Sequence, residues 1–244
     1  MISLCMLTID RFEITKKTFL QNWANIGDVQ AEMLVADNGS KDQRIVDYFK
    51  DLNIAYHRVN KQNEGVSRAF NQLFLRAKGD VIVLMGNDIT LPKGWGKELY
   101  KYCMTPKLKM GLVGIQCTVH VNCLSGRNGV IAHWIDPKIA GSMGVFGVTA
   151  FNRNFLEDVG GFCELFHPYG GEDSDLNYRA LAAGYNCCYV PNMKSEHLGE
   201  DAGQDSEYRK MKDQSLKDNY KVMKSRVIGP NQYKIPLPEM KAPL

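Results

Sequence analysis

The stretch DVIVLMGNDITLP, residues 80–92, decides the fold of this chain. Val81 to Met85 is a short apolar run, rich in β-formers and free of charge, which suits a strand buried on both faces inside a parallel sheet. The run stops at Gly86-Asn87 and then offers one carboxylate, Asp88. Pro92 follows as the next punctuation mark and argues that the chain has left the sheet. Asp88 is therefore expected near the carboxyl end of a strand, the edge at which open α/β sheets gather ligands.

Upstream, apolar runs and amphipathic stretches alternate. Ile2–Leu7, Glu32–Ala36 and Ala55–Val59 read as strands; Glu13–Trp23, Gln43–Asp51 and Val66–Ala77 read as helices, the last closed by Gly79. This spacing predicts an α/β fold with a mainly parallel central sheet and helices on both faces. Downstream the regularity fades. Leu112–Cys117 and Val145–Asn152 read as strands, Leu176–Ala183 as a helix stopped by Gly184, and Cys187–Val190 as a returning strand. Between residues 118 and 144 runs a glycine-rich, irregular connection of a kind more often functional than filler. Charges dominate Ser206–Val227, which reads as a surface helix. The proline-rich tail IGPNQYKIPLPEMKAPL is expected to lie extended on the body or loose.

A hydrophobic content of 44% with 23% charged residues describes an ordinary globular chain, and its net charge of +3 permits an anionic ligand without demanding one. The seven cysteines are odd in number and lack C-x-x-C spacing, so reduced thiols in a reducing compartment are expected. The N-terminus MISLCMLTID lacks the basic and apolar regions of a secretory leader, and no segment reaches the length of a membrane span. Cytoplasm is the expected location. No G-x-G-x-x-G follows the first strand, and no G-x-x-x-x-G-K-[ST] occurs, which argues against a Rossmann dehydrogenase and a P-loop enzyme.

The strand ends carry a different set of groups. The first delivers Thr8, Asp10 and Arg11; the second, VADNGSKD, places Asp37 and Asn38 at a turn. NKQNEGVSRAFN follows the third, with Asn63, Gly65 and Arg68, and Asn87 and Asp88 follow the fourth. Further on, GGEDSDL supplies Glu172, Asp173 and Asp175, and KSEHLGE supplies His197. Singly, each has a plain structural reading. Asp37 suits a turn, the three carboxylates suit a helix N-terminus, Arg68 suits a solvated helix face, and His197 suits a packing role. His57, His120 and His133 belong to no motif. Trp134, Phe162, Phe166 and Tyr169 suit either an acceptor cleft or the core.

Taken in order, VADNGSKD, QNEGVSRAFNQLFLRAKGDVIVLMGND, GGF and YGGEDSDLNYRALAAGY resemble the family-2 glycosyltransferases with the GT-A fold, over about Ile2 to Gly199. The resemblance implies one domain over residues 1–205, with a nucleotide-binding half at about 1–92 and an acceptor half at about 93–205, followed by the helix and tail of 206–244. It implies an inverting transfer of a hexosyl or pentosyl group from a nucleotide-diphosphate donor, UDP foremost, to an acceptor hydroxyl. Asp37 falls on the residue that hydrogen-bonds the base, Thr8 and Asp10 on those flanking base and ribose, and Arg68 on one near the base or diphosphate. Arg11, Asn38, Asn63, Gly65 and Asn87 complete the implied nucleotide set. The D-x-D metal motif falls on Gly86-Asn87-Asp88; its last acid is kept and its first is replaced by Gly86.

The chemistry explains these residue types. A departing nucleoside diphosphate concentrates negative charge on its phosphates, and a hard divalent cation with oxygen ligands offsets it. Asp88 and His197 are the implied ligands of Mn²⁺ or Mg²⁺, and an imidazole favours Mn²⁺. An acceptor hydroxyl needs a base, for which Asp173 is implied, with Glu172 in support. Glycan, lipid-linked sugar, protein and modified nucleobase stay open as acceptors, and the oligomeric state is not readable. Two other readings compete. A nucleotidyltransferase of related fold calls for a glycine-rich basic loop after the first strand, which LTIDRFE lacks. A non-catalytic nucleotide- or sugar-binding relative has Gly86 as its argument.

Overall fold

The computed structural model describes residues 1–117, 145, 147–198, 206–229 and 232–233. The connection 118–144, with His120, His133 and Trp134, lies outside the described residues, as does most of the proline-rich tail. Val81–Gly86 forms β4, the middle of the sheet. It runs parallel to β1 (Ile2–Thr8), which runs parallel to β2 (Ala31–Asp37), itself parallel to β3 (Tyr56–Val59). On its other side β4 meets β7 (Val148–Asn152) antiparallel, and β7 meets β6 (Met110–Cys117) antiparallel. β8 (Asn186–His197) lies parallel to β6, and the two-residue β5 (Ile89–Thr90) closes the order β3-β2-β1-β4-β7-β6-β8-β5. The first half is thus wholly parallel and the second mixed.

The alternation along β4 explains why its sequence is apolar throughout. Ile82 and Leu84 pack into one core with Phe70, Phe74 and Phe155, while Val81, Val83 and Met85 pack into the other with Phe19, Phe49 and Trp95. Each such side chain, fully buried, contributes about 1.5–3 kcal/mol, and a one-residue slip would exchange the two faces. Helices α1 (Phe12–Asn25), α2 (Gln43–Asp51) and α4 (Trp95–Cys103) cover the second face. Helices α3 (Val66–Phe74), α5 (Arg153–Val159) and α6 (Glu172–Ala182) cover the first. Helix α7 (Ser206–Arg226) adds Met223 to that first core.

Three departures from the sequence reading bear on the site. Pro92 lies outside the sheet, but before it Ile89 and Thr90 form a short strand that the sequence reading did not contain, pairing with His197 and Glu196. β8 does not stop at Val190. Pro191 cannot donate to the ladder, and Asn192 takes a left-handed φ of 60°, but pairing with β6 resumes at Lys194 and Ser195 and carries the strand on to His197. Helix α6 starts four residues earlier than Leu176, so the carboxylates occupy its first turn rather than the loop before it. In the tail, Val227–Gly229 (β9) pairs antiparallel with Gln232–Tyr233 (β10). Among the described residues no helix is long and apolar enough to cross a membrane, and the six described cysteines are unbridged.

Candidate active site

The turn from β4 into β5 is pinned from beneath by α1. Asn87 Nδ2 donates to Thr15 Oγ1 at 2.8 Å, and Thr18 Oγ1 donates to the Asn87 carbonyl at 2.7 Å. Asn22 Nδ2 donates to the Ile89 carbonyl, and its Oδ1 accepts from Leu91 N–H, both at 2.7 Å. Thr15, Thr18 and Asn22 are fully buried. Their spacing of three and four residues forms a polar stripe along the inward face of α1, a signal the sequence carried and the apolar pattern hid. Gly86, in contrast, has no steric need to be glycine beyond a modest crowding: an added Cβ would sit 3.3 Å from Asp88 Oδ1.

Asp88 stands between two partners. Arg11 Nη1 donates to its Oδ2 at 2.8 Å, and His197 Nε2 lies 3.5 Å from its Oδ1. The β5–β8 pairing brings His197 there, and Leu198 N–H donates to the Asp88 carbonyl. No cluster of three or more His, Cys, Asp or Glu side chains suited to a metal occurs among the described residues. The pair still fits a divalent cation that brings further oxygen ligands with it. One carboxylate oxygen and one imidazole nitrogen face each other at a distance too long for a good hydrogen bond, and His197 Nδ1 is buried.

The sequence-predicted nucleotide residues divide into two groups around one cleft of about 1270 Å³ at the carboxyl edge of the parallel strands. Asp10, Arg11, Asn38, Asn63, Asn87 and Asp88 border it on one side, with His197. Thr8, Asp37, Gly65 and Arg68 do not border it. Asp37 is fully buried, and its carboxylate accepts from Thr8 Oγ1 at 3.1 Å, from Ser40 N–H at 2.9 Å and from Ser40 Oγ. It holds the DNGS turn from below and presents no exposed atom to a base. Asn38 ties that turn to the next loop, donating to Asn63 Oδ1 at 2.8 Å and accepting from Glu64 N–H at 2.9 Å. Gly39 is required there: with φ at +85°, an added Cβ would fall 2.6 Å from the Gln62 carbonyl carbon. Gly65 is a packing position, since a Cβ would meet His167 Nδ1 at 2.6 Å. Arg68 is exposed and pairs with Glu64 one turn back at 3.1 Å, the solvated arrangement its helix position allows.

The opposite side of the cleft is the first turn of α6. Gly170 and Gly171 take left-handed φ values of 87° and 92° before it. Helix α7 clasps this turn: Asn219 Nδ2 donates to the Gly170 carbonyl at 2.7 Å, and Ser215 Oγ donates to the Tyr169 carbonyl at 2.6 Å. Glu172 and Asp173 both border the cleft. Glu172 is buried, and its Oε2 has no hydrogen-bond partner among the described residues. Asp173 is half-buried, with Oδ1 accepting from Ser174 N–H at 2.7 Å. Asp175 points away, into a buried ion cluster with Arg179 and Arg226. Sequence reasoning did not single out Arg179 or Arg226.

Burial, reinforced by the neighbouring Asp173 carboxylate, pushes the Glu172 carboxyl up to about 8. The folded chain therefore holds this proton more tightly than the unfolded chain. Stability is greatest while Glu172 is protonated and falls as pH rises from the ordinary carboxylate range through about 8. Glu172→Gln, neutral throughout, should melt with the parent at about pH 4 and below, where the glutamate of the unfolded chain is itself mostly protonated. Above the raised value it should melt higher, by about 2–4 °C for each kcal/mol that ionisation costs the parent. Melting temperatures across this range check it; parallel curves for the two proteins would show that Glu172 is not a buried acid.

Comparisons with known proteins agree with this architecture. The sequence profile described as Glycosyl transferase family 2 matches residues 4–116, and that described as the N-terminal domain of galactosyltransferase matches residues 130–200. A mannosyltransferase from Pyrobaculum calidifontis, solved with GDP-Man and Mn²⁺, is 20% identical with a TM-score of 0.64, over 83% of this chain and 58% of that one. GalNAc-T7, solved with UDP, GalNAc and Mn²⁺, is 14% identical with a TM-score of 0.67, over 92% of this chain and 47% of that one. Residues 1–349 of S. aureus TarS, solved with UDP-GlcNAc, are 14% identical with a TM-score of 0.56, over 86% of this chain and 63% of that one. The chain thus spans between about half and three-fifths of the length of these structures. A comparison with curated protein sequences gives no match. The fold is that of the GT-A glycosyltransferases. The chain is similar to glycosyl transferase family 2 over residues 4–116, a little under half of its length.

Proposed function

We propose that this protein is an inverting, divalent-cation-dependent glycosyltransferase. It moves a hexosyl or pentosyl group from a nucleotide-diphosphate donor, with UDP the first choice, to an acceptor hydroxyl. The observation that carries this reading is that one cleft is bordered by Asp88 and His197 and also by Glu172 and Asp173. The first pair offers ligands for a cation and its diphosphate, and the second offers a carboxylate base. Two of the three compared structures hold uridine nucleotides, and two hold Mn²⁺.

In this reading Asp10, Asn38 and Asn63 receive the nucleoside end, with Asp37 bracing their turn from below. Asp88 and His197 would hold the cation, which when bound supplies charge compensation for the leaving diphosphate. Asp173 is the base, because it is reachable from the cleft. Glu172 is not suited to that task, since it keeps its proton up to about 8. Attack from the acceptor wall, opposite the leaving group, gives inversion at the anomeric carbon. Tyr169, Leu216 and Tyr220 border the acceptor side, so α7 belongs to whatever surface receives the acceptor. Glycan, lipid-linked sugar, protein and modified nucleobase are its candidate classes, and a cytoplasmic setting is part of the proposal.

Two measurements test it. The purified protein with Mn²⁺ should slowly hydrolyse a UDP-sugar; no turnover with any nucleotide sugar would favour a binding-only relative. Titration calorimetry with UDP and Mn²⁺ should show affinity falling about 10- to 100-fold for Asp88→Asn or after chelation, the worth of a lost charge-assisted contact. Equal affinity in all three cases would remove Asp88 from the cation site.

A further inference from the structure

Arg11 sits where a cation is expected to bind. Its guanidinium donates to Asp88 Oδ2 at 2.8 Å, and the two side chains are only 16% and 14% exposed. The contact is built into the backbone. Asp10 and Arg11 both take positive φ, 50° and 63°, a backbone shape that residues with a Cβ rarely adopt. Asp10 holds that shape by accepting from Lys41 and Asp42 N–H at 2.7 and 3.0 Å, while its own N–H donates to Ser40 Oγ at 2.7 Å. Arg11, the residue just before α1, is thereby set with its guanidinium on Asp88, on the same side of the cleft.

The charge count then becomes informative. With Gly86 in place of an acid, Asp88 is the sole carboxylate of the Gly86-Asn87-Asp88 turn, and Arg11 already neutralises it. A bare divalent cation approaching Asp88 Oδ1 beside His197 meets a guanidinium of like sign held on Oδ2 of the same carboxylate. A diphosphate supplies the missing negative charge, and a planar guanidinium is the side chain best matched to phosphate oxygens.

We propose that Arg11 is an internal counter-ion: it masks Asp88 in the unliganded protein and transfers to the donor's diphosphate, so that the cation is admitted only together with the nucleotide. This rests on the reading of the cleft as a nucleotide-sugar site. Arg11 is then both a phosphate contact and the reason that one protein carboxylate suffices. It couples the two ligands without binding the metal.

The test is binding, read without turnover. Free Mn²⁺ is followed by electron paramagnetic resonance with and without UDP, and UDP binding in chelator by calorimetry, for the parent, Arg11→Met and Arg11→Lys. Arg11→Met keeps the apolar stem and removes the charge. It should bind Mn²⁺ alone about 10- to 100-fold more tightly than the parent and UDP in chelator more weakly by a similar factor, as for one charge-assisted hydrogen bond. The enhancement of Mn²⁺ binding by UDP should shrink accordingly. Arg11→Lys keeps the charge but not the fork. It should leave Mn²⁺ binding alone near the parent value while weakening UDP, and it serves if Arg11→Met does not fold. Unchanged affinities in Arg11→Met, or weaker binding of Mn²⁺ alone, would overturn the proposal while the site reading survives. A parent that binds neither UDP nor Mn²⁺ with UDP would overturn both.

Discussion

Asp173→Asn is expected to lower the turnover of sugar transfer by about 10²- to 10⁴-fold, the usual worth of a general base. Donor affinity and melting temperature should stay close to those of the parent. The asymmetry follows from the two jobs that the proposed mechanism gives to one carboxylate. Asp173 Oδ1 accepts from Ser174 N–H in the first turn of α6, and an asparagine oxygen can accept in the same place. An amide cannot take a proton from an acceptor hydroxyl near neutral pH. Glu172→Gln is the matched control. Its carboxyl holds a proton up to about 8, so the amide resembles the form present at neutral pH and should cost far less activity. The measurement is kcat beside donor Kd and melting temperature for both variants. Near-normal turnover in Asp173→Asn with an inactive Glu172→Gln would move the base to Glu172. Near-normal turnover in both would leave the pair as a helix N-terminus and remove the mechanism.

How far the sequence spoke for itself varies with the physics of each segment. The parallel half was legible because β1, β2 and β4 are buried on both faces, and continuous apolar runs of strand length have few other solutions. The bounds of α2 were readable because Asp42 caps it, its side chain accepting from Arg44 N–H at 3.1 Å. Helix α4 was not read from the sequence; it follows Gly94 and carries Gly96 in its first turn, and glycine there weakens a helical signal. Gly96 is glycine for another reason: a Cβ there would strike Ile26 Cγ1 at 2.5 Å, so it marks a close helix contact. His197 was found only through the family resemblance. Pro191 reads as the end of a strand, and only the resumed pairing beyond it shows how the imidazole comes beside Asp88.

The clefts between sequence and structure are widest at helix α7. Its charges suggested a solvated helix, yet Ser215, Asn219, Met223 and Arg226 are buried along one side. That stripe has helical spacing, but it mixes polar, apolar and charged residues, so a hydrophobic pattern search passes over it. Its partners explain the mixture. Ser215 and Asn219 meet the inward-facing carbonyls of Tyr169 and Gly170 at the left-handed glycine turn, which a hydrocarbon side chain would leave unsatisfied. Asp37 shows the opposite case, a motif residue that was recognised and then found beneath the cleft rather than facing it.

Asp175→Ala should be the most destabilising single change in the region, costing about 3–5 kcal/mol of unfolding free energy. Asp175 is fully buried and accepts from Arg179 Nε at 2.8 Å and from Arg226 Nε at 2.9 Å. Arg179 continues into the GGF turn, donating to the Val159 carbonyl at 2.6 Å and the Gly161 carbonyl at 2.7 Å. One carboxylate therefore joins α6, α7 and the Gly160-Gly161-Phe162 turn. Its removal leaves two guanidinium groups in the interior without their counter-charge. Arg226→Met should cost less, because the Asp175–Arg179 pair stays intact and a methionine can fill the space. Urea unfolding should thus rank Asp175→Ala well below Arg226→Met, with both below the parent. The double variant should cost less than the sum of the two, since Arg226→Met has already removed one of the charges that Asp175→Ala strands. A cost for Asp175→Ala within the range of about 0–1 kcal/mol typical of surface pairs would mean that the cluster is hydrated and does not tie α7 to the domain.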